Sequence, residues 1–180
     1  MNDQEPGVVE QSQSTSAVTE PAMDAGAAAR NQQISAQLAG LYRVIGNGAN
    51  WFYWVAGLSM INTLIALFNG KVSFMFGLGV TQIADASIQE FGPRAAIIAL
   101  PVNLFIAGVY VLFGYCAGRR MRWAFYTGLF FYLLDALLLV LVREWLSVAF
   151  HAWVVFAIYR GIKADDSARQ LEAQIQPQPV

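Results

Sequence analysis

Cysteine and histidine, which carry much of protein chemistry, are almost missing from this 180-residue chain: it has one of each, Cys116 and His151. A lone cysteine excludes an intramolecular disulfide, and with a single histidine it leaves no ligand set for a zinc site, so no metal is expected. Cys116 is expected to pack as a small apolar side chain. Charge is scarce too, at 13% of residues, about half the roughly 25% of soluble domains. No Lys or Arg precedes Arg30, so the N-terminal segment has neither the basic start nor the apolar core of a secretory signal. No basic block is large enough for a nucleic-acid footprint. The GLG at Gly77–Gly79 is too short for a phosphate loop or dinucleotide fingerprint, so no cofactor is expected.

What is abundant is apolar: 57% of residues are hydrophobic, and they concentrate between Trp51 and Tyr159. This excludes an ordinary soluble enzyme and predicts an all-α, polytopic membrane protein, a bundle of four transmembrane helices with a disordered N-terminal tail. Residues 1–30 carry Asp3, Glu5, Glu10, Glu20 and Asp24 and too few apolar groups to offset ordering entropy, so they are expected to be disordered. Ile34, Leu38, Leu41 and Ile45 share one helical face and predict a short amphipathic juxtamembrane helix over 31–49, broken by Gly46 and Gly48. The four-helix domain occupies 50–160, with spans at about 51–69, 95–117, 123–142 and 145–159. A span needs about 20 apolar residues; the last is short. Residues 161–180 form a cytoplasmic tail, in which Asp165 and Asp166 are placed to cap a short helix.

Between the first two spans, 72–91 is semi-apolar. It reads as an outer interfacial helix, as a re-entrant segment, or as a fifth span that would put the N-terminus outside; Asp85 makes a full crossing costly. The turn at Arg143 and Glu144 has no Gly, Pro or Asn, yet one helix of about 35 residues would far exceed a bilayer, so a tight hairpin is predicted. With both termini inside, eight basic residues face the cytoplasm, including the topology-determining cluster Arg119, Arg120 and Arg122, and only Lys71, Arg94 and Arg143 face outward. That bias places the chain in a plasma (inner) membrane with both ends cytoplasmic. The cluster can also contact anionic headgroups.

Two ionisable residues fall inside spans. Asp135 lies eight residues before Arg143 and His151 eight after, which sets both about 12 Å from the outer end of an antiparallel hairpin. Asn62 and Asn103 reach a similar depth, so Asn62, Asn103, Asp135 and His151 form a candidate polar layer. Pro101 is expected to kink the second span beside Asn103. Two roles fit the layer: a proton or ion relay through Asp135 and His151, or an interhelical hydrogen bond fixing the hairpin register. A hydrolase built on Ser147 and His151, four residues apart, lacks any mark of an oxyanion hole, so no catalytic residue is assigned. The GxxxG at Gly114 and Gly118 is a candidate for packing within the bundle, for ending its helix, or for dimerisation.

These patterns predict a non-enzymatic assembly or interaction subunit, with the lipid bilayer and a second copy or another membrane protein as partners and no nucleic acid. A small transporter, or a subunit of one, using Asp135 and His151 is the alternative.

Overall fold

The computed structural model describes residues 19–67, 78–81, 90 and 93–175. The described residues contain no strand. Four long helices follow one another: α1 (Thr19–Leu67), α2 (Pro93–Gly118), α3 (Arg122–Leu141) and α4 (Trp145–Ile175). Residues 79–81 are also helical. The chain divides into two compact units, Met1–Ala39 and Gly40–Val180. In the first, the Ser35 hydroxyl donates to the Gln32 carbonyl at 2.9 Å. The rest of this section concerns the second.

Three stretches, Ile97–Gly118, Arg122–Leu141 and Trp145–Ile175, are long and apolar enough to cross a membrane, with mean hydropathies of 2.2, 2.0 and 1.4. Their surface is inverted relative to a water-soluble protein. Ile97, Phe105, Leu141 and Trp145 are 67–77% exposed, while Asn103, Asp135, Ser147 and His151 are at most 4% exposed. Apolar outside and polar inside suits a hydrocarbon solvent. The stretch predicted as the first span lies at the end of α1, apart from Phe68 and Asn69, which lie outside the described residues. It is less apolar because Ser59, Asn62 and Thr63 sit in it, and all three are buried against the bundle.

Two expectations about breaks are corrected. Gly46 and Gly48 do not interrupt α1, which runs straight through them. Gly48 instead meets Gly161 of α4: a Cβ on Gly48 would stand 2.8 Å from the Gly161 Cα. Two glycines let the helices touch backbone to backbone. Likewise α4 does not stop near Tyr159; it continues to Ile175, so Asp165 and Asp166 lie inside a helix and cap nothing. The start of α1 at Thr19 also falls within the segment expected to be disordered. Ala22, Ala25, Ala27, Ala28 and Ala29 supply helix propensity that needs no tertiary burial. Residues 1–18 of that segment lie outside the described residues.

Two helix ends close on an arginine in left-handed backbone. After α3, Arg143 adopts φ 61°, its N–H reaches the Val140 carbonyl and Glu144 N–H reaches that of Leu139, both at 3.1 Å. After α2, Arg120 at φ 62° repeats the pattern, with Arg120 N–H on Ala117 and Met121 N–H on Cys116. Both are Schellman closures with arginine where glycine is usual. Cys116 is buried and unpaired with any second cysteine. Within the bundle, α3 packs against both α2 and α4. Phe52 of α1 is fully buried among Tyr110, Phe113 and Phe125, with ring centroids 6.1–6.4 Å away.

Gly46 faces open space, whereas Gly48 faces backbone. Gly46→Ala should therefore raise stability by about 0.5–1 kcal/mol through helix propensity, and Gly48→Ala should lower it. Thermal unfolding in detergent, followed by near-UV circular dichroism, distinguishes the signs; two stabilising alanines would remove the helix contact from the explanation.

Candidate functional site

Asp135 faces inward from α3 and is met from two directions. His151 of α4 brings Nε2 to 2.9 Å from Oδ2. From the opposite side come backbone donors: Gly79 N–H to Oδ2 at 2.8 Å and Val80 N–H to Oδ1 at 3.0 Å. These are among the first N–H groups of the helical turn at 79–81, which have no acceptor within their own turn; a carboxylate from another helix serves as their cap. Gly79 suits the close approach, because a Cβ there would lie 3.0 Å from the Leu139 side chain.

The proton count of the pair follows from geometry. His151 Nδ1 faces the Ser147 carbonyl at 2.8 Å, which only accepts, so Nδ1 carries hydrogen. Nε2 and Oδ2 at 2.9 Å then share one proton, since without it two lone pairs would face each other. Imidazolium with carboxylate and imidazole with carboxylic acid are both neutral overall, which suits burial. The Tyr132 ring stacks on His151 at 4.4 Å between centroids and 12° between planes. The Tyr132 hydroxyl is buried with no hydrogen-bond partner among the described residues.

A second run of bonds lies beside the first. Leu78 N–H donates to Ser59 Oγ at 2.9 Å, Thr63 Oγ1 donates to the Ser59 carbonyl at 3.1 Å, and Asn103 Nδ2 donates to Thr63 Oγ1 at 2.9 Å. Of the four residues expected in one layer, Asp135 and His151 touch, and Asn103 joins α1 through Thr63. Asn62 is buried one residue away from Thr63. Sequence reasoning missed Thr63 as the partner of Asn103 and missed the backbone of 78–80 altogether. Most of 72–91 lies outside the described residues; of what is described, 78–81 meets the bundle at the depth of Asp135.

An apolar cleft of about 480 Å³ runs between α2 and α3, with Leu78, Val80, Phe105, Tyr110 and Phe131 in its wall. Asp135 is the acidic wall residue among those described. No group of three or more metal-ligating side chains occurs among the described residues.

The other predicted motifs are placed as follows. Gly114 packs on the Tyr53 ring of α1, 3.0 Å from a built Cβ, while Gly118 faces open space. Arg119 stacks on Tyr115 at 4.4 Å. Arg120 bonds Asp165 at 2.7 Å and both oxygens of Glu172 at 2.6 and 3.2 Å, and Tyr42 of α1 donates to the same Glu172. Arg122 pairs with Asp166 at 2.5 Å. Arg169 reaches Asp165 at 2.8 Å and the Arg120 carbonyl at 2.6 Å. The acidic residues read as helix caps are thus the partners of the arginine turn.

Beyond the apolar part of α4, burial pushes the Asp165 carboxyl up, but its bonds to Arg169 and Arg120 outweigh that and hold it below its ordinary value. A lowered folded value means that its stabilisation is present above the unfolded value, about 4, and is lost as pH falls through the folded one. Unfolding temperatures measured by scanning fluorimetry should drop on acidification below about pH 4, and Asp165→Asn should flatten that drop. An unchanged slope in the variant would remove Asp165 from the acid response.

Asp135→Asn puts an amide donor against at least one backbone N–H. It should cost about 1–3 kcal/mol and speed hydrogen exchange at Gly79 and Val80, read by mass spectrometry. Tyr132→Phe removes only an unpartnered hydroxyl and should leave stability unchanged or raised. Unaltered exchange at Gly79 and Val80 in Asp135→Asn would mean that the carboxylate does not hold them.

No protein-family model, curated protein or solved structure matches the chain.

Proposed function

We propose that the chain is a four-span integral membrane protein of the plasma (inner) membrane, with both termini cytoplasmic, acting as a non-enzymatic assembly or interaction subunit. In this reading the end of α1 is the first span, and the short segment at 78–81 is held inside the bundle at Asp135. Asp135 and His151 act as a fixed clasp on that segment.

The observation that carries the reading is the closed bonding set of the pair. Asp135 accepts from Gly79, Val80 and His151, and both His151 nitrogens are engaged. A general base needs a free nitrogen facing a nucleophile, and both His151 nitrogens already have partners. The exposed apolar faces of α2–α4 suit lipid or another membrane helix. One observation favours the alternative of a proton relay in a small transporter: the cleft brings open space to the wall containing Asp135.

Proteoliposomes separate the two. The expected result is no proton flux above protein-free vesicles, with Asp135→Asn and His151→Ala indistinguishable from wild type, and recovery of a stoichiometric membrane partner from mild detergent. Flux that either substitution abolishes overturns the subunit reading in favour of transport. Single cysteines in a Cys116→Ala background test the threading: Glu144→Cys should label from outside, and Ser35→Cys only after permeabilisation. The reverse pattern sinks the topology.

A further inference from the structure

The seam between α3 and α4 changes character along its length. On α4, Val148, Ala152, Val155 and Tyr159 follow at helical spacing, and Leu133 and Leu137 face them from α3, enclosing an apolar groove of about 510 Å³. The same α4 stripe continues as Lys163, Asp166 and Gln170, in steps of four, three and four. There it walls a second, polar pocket, also about 510 Å³, that includes Arg122, Ser167 and Arg169. Arg122 lies on the α3 stripe that leads through Tyr126 and Leu129 to Leu133. One continuous face is therefore apolar through the span and polar at its end.

The charges in the polar pocket do not cancel. Arg122 is matched by Asp166 and Arg169 by Asp165. Lys163 is exposed and has no carboxylate partner among the described residues; its ammonium lies 5.8 Å from the Tyr159 ring centroid. The excess cation thus sits where the apolar groove meets the polar pocket, with Trp123, Tyr126 and Tyr159 exposed at the same level. Exposed aromatic rings of this kind favour the headgroup region.

We propose that this seam binds one anionic phospholipid. Lys163, with Arg122 and the Ser167 hydroxyl, holds the phosphate, and an acyl chain lies along Leu133, Leu137 and Val155. A free phosphate makes no use of the groove, and a zwitterionic lipid brings its own ammonium toward Lys163. The anionic lipids of a cytoplasmic leaflet meet both halves of the site. The proposal rests on the reading that α3 and α4 cross the membrane.

The test is native mass spectrometry of the full chain with equal amounts of phosphatidylglycerol and phosphatidylcholine. The expected phosphatidylglycerol adduct exceeds the other about fivefold, the effect of one well-placed cation near a membrane surface. Lys163→Gln, a change at an exposed position, should bring the two lipids to parity. Arg119→Gln, on the turn that leads into Arg122 but outside the pocket, should leave the preference intact. Ala152→Trp, which fills the groove, should reduce both adducts. Equal adducts in the wild type overturn the proposal, as does an Arg119→Gln loss as large as that of Lys163→Gln, which would signify diffuse surface charge. Competition by glycerol 3-phosphate at the lipid's own concentration also overturns it, since the groove would then add nothing. Alkaline carbonate extraction separates the premises: release from membranes sinks the spanning reading and the site with it, whereas retention with equal adducts sinks the site alone.

Discussion

A backbone N–H withdrawn from water has to find an acceptor, and the centre of this bundle is organised by three consecutive ones. Leu78 donates to Ser59 of α1, and Gly79 and Val80 donate to Asp135 of α3. A carboxylate offers acceptors on both oxygens, so one side chain can take two adjacent amides and still receive a third bond. That third bond fixes His151, and the bond from its other nitrogen to Ser147 fixes the ring on α4. Two helices, α3 and α4, and the segment at 78–81 thus meet at one carboxylate, and Leu78 ties the same segment to α1. Asp135 is a buried acid, and it remains tolerable because the pair shares one proton and has no net charge.

Close packing around this centre depends on what is absent from side chains. Gly48 and Gly161 bring α1 and α4 together, and Gly128 leaves room for the Phe52 ring, which would lie 2.6 Å from a Cβ there. The turn between α2 and α3 works in the opposite way, through a large side chain in an unfavourable backbone region. Left-handed backbone at a non-glycine costs about 1–2 kcal/mol. At Arg120 that cost is offset by ion pairs to Asp165 and Glu172, so the turn between α2 and α3 is also the anchor for the polar end of α4.

The helical class, the three apolar helices and the shared depth of Asp135 and His151 were legible in the sequence, but not that the two side chains touch. Equal spacing from Arg143 is a one-dimensional statement about depth, and antiparallel helices preserve depth. Contacts that depend on rotation about a helix axis, or on segments distant in sequence, were not legible. Gly46 and Gly48 look identical as breakers, yet only one has a backbone opposite it. Asp165 and Asp166 look like caps until the helix is known to continue through them. The donors at 78–80 are main-chain groups, and main chain carries no residue identity to read.

The same bonds bear on whether the pair can move a proton. Taking the shared proton away leaves Nε2 and Oδ2 with facing lone pairs at 2.9 Å. Turning the imidazole to avoid this breaks its bond to the Ser147 carbonyl and its stacking on Tyr132. Withdrawing Asp135 strands the amides of Gly79 and Val80. A relay through this pair therefore requires either that the imidazole turn away from Ser147 and Tyr132 or that Asp135 release the segment at 78–81, and not merely a protonation change in a rigid bundle. Within a fixed fold, the arrangement resists proton exchange for the same reason that it holds the segment.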